Sequence, residues 1–187
     1  MRTREIERKF LVRNDTWRCK ALPASELRQG YLLSDADKSV RIRLIDGRFA
    51  FLTVKFDRQG IVRDEFEYRI PLDEAEELLE RVVGTVIEKS RYKVPVGRFV
   101  WEVDVFHGAH SGLTIAEIEM FRERDRPVSP RWLGPEITGD RRYSNRTLAT
   151  TTEKPLIQPR LSKDNRAMAV DEVLDLTRQR STNCGPD

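Results

Sequence analysis

Cysteine is nearly absent: Cys19 and Cys184 are the only two in 187 residues, so no disulfide framework holds the chain together. They belong to no Cys-x-x-Cys pattern, which removes a zinc ribbon as well, and they read as free thiols. Histidine is equally scarce. His107 and His110 have His-x-x-His spacing but flank Gly108 in a turn, which reads as a connection between strands rather than a metal pair. No glycine-rich phosphate loop and no Ser-His-Asp order occur. No apolar run approaches the roughly 18 residues of a membrane helix. Residues 1–10 hold six charged side chains where a signal peptide needs an apolar stretch. A cytoplasmic protein with no membrane partner is the expectation.

What the chain has in excess is charge. Charged residues make up 35% against 39% hydrophobic ones, in a length that suits one domain with an appendage. The bases are mostly arginine, 26 Arg to 8 Lys, and guanidinium favours planar, bidentate contact with oxyanions. With 31 acids against 34 bases the net charge is only +3, which argues against a simple basic patch for nucleic acid.

Up to about residue 151 the sequence alternates apolar and polar positions in short runs, so the main domain reads as mainly β. A first strand holds Glu5, Glu7 and Lys9 on one face with Ile6, Phe10 and Val12 on the other. Further strands are expected at 27–33, 39–45, 49–56, 61–70, 86–94, 100–106 and 113–120, eight in all. Asp46-Gly47 and Arg58-Gln59-Gly60 should turn the third, fourth and fifth into an antiparallel meander. The clearest helix is 72–83, with Asp73 as N-cap and Gly84 as its stop; a shorter one fits 15–22. Pro127, Pro130 and Pro135 limit any helix that follows to short pieces. Residues 152–187 have six bases, six acids and scattered apolar positions, and read as a polar, partly disordered tail. Truncation after about Thr151 is therefore expected to leave a cooperative thermal transition; its loss would place the tail in the core.

The charge is sorted by face. One face carries Arg41 and Arg43, then Lys55, Glu65 with Glu67, Lys89 with Arg91, Glu102 with Asp104, and Glu117 with Glu119. The other carries Val40, Ile42 and Leu44, Leu52 and Val54, Trp101, Val103 and Val105, Ala116 and Ile118. One arrangement leaves the charged face in water and covers the apolar face with helices. The other closes the sheet, which removes its edges and turns the charged face inward. Such an interior would be costly unless it stayed wet or held a charged ligand. Paired carboxylates suit Mg²⁺ or Mn²⁺, and convergent Arg and Lys suit a polyanion with several phosphoryl oxygens.

Glu5-Ile6-Glu7-Arg8-Lys9 resembles the Glu-x-Glu-x-Lys opening of the CYTH, or triphosphate tunnel metalloenzyme, superfamily. Its companions follow in order: Gln29-Gly30-Tyr31-Leu32, Arg41-Ile42-Arg43, Thr53-Val54-Lys55, Glu65 with Glu67, Lys89 with Arg91, Glu102 with Asp104, and Ala116-Glu117-Ile118-Glu119. The likeness is to the short bacterial members. It implies an α+β fold dominated by an eight-stranded antiparallel closed tunnel with flanking helices, spanning residues 1–151. It also implies that the stretch from Gly134 to Ala149, with Arg142, Tyr143 and Asn145, ends in a helix plugging one mouth. By the same resemblance Lys9, Arg41, Arg43, Lys55, Lys89 and Arg91 would bind phosphoryl oxygens. Glu5, Glu7, Asp104, Glu117 and Glu119 would serve the metal, and Lys89, Glu65 and Glu67 would be catalytic. The implied activity is hydrolysis of inorganic tripolyphosphate, or a related organic triphosphate, to pyrophosphate and orthophosphate. A class IV-type adenylate cyclase and a non-catalytic polyphosphate or nucleotide sensor are the alternatives, and either a monomer or a homodimer is compatible.

Overall fold

A computed structural model describes residues 6–35, 37–57, 63–122 and 124–151. The chain runs β1 (Glu7–Val12), a 3₁₀ turn (Thr16–Lys20), β2 (Ser25–Ser34), β3 (Lys38–Ile45), β4 (Phe49–Asp57), β5 (Arg63–Ile70) and α1 (Leu72–Leu79). It continues with β6 (Val83–Val96), β7 (Phe99–Phe106), β8 (Thr114–Glu119), β9 (Leu133–Glu136) and α2 (Asn145–Thr150). All ladders are antiparallel, in the order β5-β4-β3-β2-β6-β7-β8-β1-β9. The eight expected strands are present; the third-to-fourth turn is made by Asp46 at φ 54° and Gly47 at φ 58°, the left-handed pair that a tight hairpin requires. The Arg58-Gln59-Gly60 turn lies outside the described residues.

Four details differ from the sequence reading. The sheet has a ninth strand, β9, and among the described residues no ladder joins β5 to β9, so its hydrogen bonding is open rather than closed. Pro135 masked β9, yet proline is tolerated on an edge strand, where one side of the backbone has no ladder partner. Helix α1 starts from Pro71 rather than Asp73 and ends at Leu79; Gly84, at φ 79°, already belongs to β6. A Cβ there would stand 2.1 Å from the Ala149 carbonyl oxygen, so this glycine serves the close approach of α2 and not a helix stop. Finally, Cys19 is disulfide-bonded, a property on which linear spacing is silent. No helix among the described residues is long and apolar enough to cross a membrane.

Two clusters cover the apolar face. Phe10, Val94, Trp101, Val103, Ala116 and Ile118 pack with Trp17 and Trp132, while Ile42, Leu44 and Ala50 receive Ala75 and Leu79 of α1. A third cluster lies on the charged face. Leu11, Tyr31, Ile87, Phe106 and Ile115, from β1, β2, β6, β7 and β8, gather around Tyr143, Leu148 and Ala149. Five flat strands would span about 19 Å, wider than the ~10 Å of a single helix. The sheet therefore curls with its charged side inward, and α2 packs against part of that face. His110 fastens α2 by donating from Nε2 to the Leu148 carbonyl at 2.9 Å. His107 instead meets Ser90 at 2.7 Å, so the two histidines share no ligand.

Candidate active site

Period-two alternation sends the odd residues of β1, β2, β3, β4, β5, β6 and β8, and the even residues of β7, to the same side. There they form two ionic clusters. In the first, Lys9 Nζ stands 2.8 Å from Glu117 and 3.3 Å from Glu7. Arg91 is its hub: Nε and Nη2 fork onto Asp104 at 2.6 and 2.7 Å, Nη1 meets Glu102, and Nη2 also reaches Glu117 at 3.1 Å. Lys89, with no solvent exposure, donates to Asp104 Oδ2 at 2.6 Å and to Asn145 Oδ1 of α2 at 3.2 Å. In the second cluster Lys55 contacts Glu65 at 2.5 Å, and Arg41 lies 3.6 Å from Glu65 and 3.7 Å from Glu67. Thr53 joins them, accepting from Arg41 at 3.2 Å and donating to Glu67 at 3.0 Å.

Arg43 lies between the two. Of the six bases assigned to phosphate, it alone has no carboxylate at ion-pair distance among the described residues; its one side-chain bond runs from Nε to Gln29 Oε1 at 3.3 Å. Burial and the neighbouring charges of Arg41 and Arg91 outweigh Glu67 and Asp104, and push its pKa down to about 10. A half-buried cation short of negative charge is a place for an anion.

The titrations of the rest follow from competition between burial and pairing. Burial would raise Glu117 and Asp104, but Lys9, Arg91 and Lys89 around the first, and Lys89 and Arg91 around the second, hold both below the usual carboxylate range. Lys9 is raised because Glu117 and Glu7 outweigh its burial. Lys89 goes the other way, to about 8: burial, with Arg91 and Arg43, prevails over Asp104 and Glu117.

The donor set suits a hard divalent cation. It is all oxygen, and Glu7 stands directly opposite Glu119 in the β1–β8 register with Glu117 two residues along the same face. Like charges facing one another across a ladder are unfavourable without a cation between them. Lys9 bridges Glu7 and Glu117, whereas Glu119 is exposed and has no ionic partner among the described residues. Among the described residues no three acidic or histidine side chains converge on one point; Glu5 lies outside them. Asp104 differs from the others, since both its oxygens are taken by Lys89 and Arg91.

Gln29, Thr53 and Asn145 belong to the site although charge patterning passed over them. Gln29 and Thr53 were detectable, because each occupies an odd position on a charged-face strand; the contact of Asn145 with Lys89 becomes visible only once α2 is folded back onto β6.

Comparison with known proteins places this geometry. The family model of the CYTH domain matches residues 3–167. An inorganic triphosphatase of Acetivibrio thermocellus is 47% identical over 153 residues, covering 81% of this chain and 96% of the relative. One from Nitrosomonas europaea is 41% identical over 150 residues, covering 78% and 96%. A solved structure of an inorganic triphosphatase superposes with a TM-score of 0.60 at 35% identity, covering 79% of this chain and 95% of that one.

Proposed function

The chain belongs to the CYTH family, and from that premise we propose that it is a metal-dependent hydrolase that cleaves inorganic tripolyphosphate to pyrophosphate and orthophosphate, with Mg²⁺ or Mn²⁺. The observation that carries the reading is Arg43, a half-buried guanidinium with no carboxylate at ion-pair distance among the described residues, set between two clusters whose other bases are already paired. A triphosphate supplies the missing negative charge.

Arg43 and Arg41 bind phosphoryl oxygens from the β3 side, and Lys9, Arg91 and Lys89 from the other, with Lys55 beside Arg41. These contacts strengthen as charge builds on the departing pyrophosphate, which is how they lower the barrier rather than only improve binding. Glu7, Glu117 and Glu119, together with Glu5, would hold the metal, and the metal when bound supplies Lewis-acid polarisation of the phosphoryl oxygens and a lower cost for making hydroxide. Asp104 is read as the anchor that orients Lys89 and Arg91, a different part from the metal ligand expected from sequence. Lys89, brought down to about 8, is the chain's own group best able to take a proton from attacking water. Glu65 and Glu67 keep Lys55 and Arg41 in place. A cytoplasmic setting, a monomer or homodimer, and no nucleic-acid or membrane partner complete the proposal.

The test is to incubate tripolyphosphate, ATP and thiamine triphosphate with Mg²⁺ or Mn²⁺ and identify the products. Pyrophosphate and orthophosphate from tripolyphosphate are expected. Cyclic AMP from ATP would make the protein a cyclase, and binding without any product would make it a sensor. Glu119→Gln removes a negative oxygen at nearly constant volume, so it is expected to raise the metal concentration needed for half-maximal rate, with partial rescue by excess Mn²⁺. An unchanged metal dependence would remove Glu119 from the metal set.

A further inference from the structure

Gln29 has no solvent exposure, yet its amide nitrogen has no hydrogen-bond partner among the described residues. The orientation of the carboxamide is fixed by chemistry. Arg43 Nε can only donate, so the atom 3.3 Å away must be the amide oxygen, and Nε2 is turned elsewhere. Such an orphaned buried donor is unfavourable, and natural proteins seldom keep one without a use. Gln29 sits directly across β2–β3 from Arg43, while Tyr31, two residues on, faces Arg41. Arg41 Nε is likewise buried without a partner. Two donors lacking acceptors thus lie on adjacent strands of the charged face, beside Arg43, which has no carboxylate at ion-pair distance among the described residues.

We infer that Gln29 is a further substrate-binding residue: its Nε2 donates to a phosphoryl oxygen of tripolyphosphate, while its Oε1 holds the Arg43 guanidinium with both terminal nitrogens open to the same ligand. This deepens the triphosphatase reading and rests on it for the identity of the ligand. A neutral carboxamide suits the position because it supplies an acceptor to arginine and a donor to phosphate at once. A carboxylate would satisfy Arg43 but repel the ligand, and a lysine would add a charge that nothing there balances.

The full chain with Gln29→Leu, Gln29→Met or Gln29→Glu, compared with wild type by steady-state kinetics, calorimetric binding of tripolyphosphate with Mg²⁺, and thermal melting, tests this. Leu and Met keep most of the volume and remove both hydrogen-bonding atoms. Each is expected to lower kcat/KM and affinity about ten- to a hundredfold while the melting temperature stays level or rises, because a buried unpartnered donor has gone. Gln29→Glu is expected to lose more than either. Wild-type affinity and kcat/KM in the Leu and Met variants would overturn the inference. So would losses that merely follow a lowered melting temperature in both. Wild-type binding of tripolyphosphate without hydrolysis would overturn the triphosphatase reading alone, since the variants' affinities would still decide the role of Gln29.

Discussion

Arg91→Ala is expected to destabilise the fold by about 3–5 kcal/mol, a drop on the order of 10 °C in melting temperature, as well as to abolish most turnover. Arg91 is the common partner of Asp104, Glu102 and Glu117, and the first and last of these are almost fully enclosed. Removing it leaves Asp104 with Lys89 alone and Glu117 with Lys9, so buried negative charge goes partly uncompensated. The acid profile of the metal-free protein provides a second readout. Carboxyls held below their unfolded values contribute stability that is fully present above those values, near pH 4, and is lost as pH falls through the folded ones. Without Arg91 both carboxyls are depressed less, so a smaller part of the stability at neutral pH depends on their ionisation and the acid limb becomes shallower. A variant with wild-type melting temperature and an unchanged acid limb would show that the Arg91 fork contributes little to stability.

Arg43→Ala is expected to do the reverse to stability while harming function at least as much. Its removal strands no carboxylate and relieves a cation that burial, Arg41 and Arg91 already disfavour; the one loss is the donor to Gln29. Melting should stay within about 1 kcal/mol of wild type. Losing one or two charge-assisted contacts to phosphate should lower kcat/KM by about a hundredfold or more, partly in kcat, because the charge on the leaving pyrophosphate grows as the bond breaks. Arg43→Lys should recover part of the loss, since it restores charge without the planar fork. Tripolyphosphate kinetics beside melting curves on the three proteins would check this. Wild-type turnover in Arg43→Ala would remove the observation on which the proposed function stands.

The contrast between these two arginines marks where sequence reading stops. Both lie on the same face, both were assigned to phosphate, and alternation predicts that much from Arg41-Ile42-Arg43 and Lys89 with Arg91. Nothing in the spacing distinguishes the hub of an ion-pair network from the cation without a partner. That depends on which strands are neighbours. Arg91 in β6 lies next to β7 and within reach of β8, where Asp104, Glu102 and Glu117 wait, whereas Arg43 in β3 faces Gln29 on one side and Phe51 on the other. The same limit explains Asp104. Its pairing with Glu102 at i, i+2 resembles a metal-binding carboxylate pair, but register sets it opposite Arg91.

By itself the sequence determined the eight principal strands, the Asp46-Gly47 hairpin, and the sorting of charge to one face and of apolar side chains to the other. These follow from a period of two and from turn chemistry, which are local. Only the tertiary structure decided that β9 joins the sheet as an edge, that α1 ends at Leu79, and that Gly84 makes room for α2. It alone folded α2 onto the charged face, split the charges into two clusters, and left Arg43 and Gln29 between them with donors to spare. Each of these depends on contacts between residues distant in the chain, where the free energy of a charge is set by what packing brings to it.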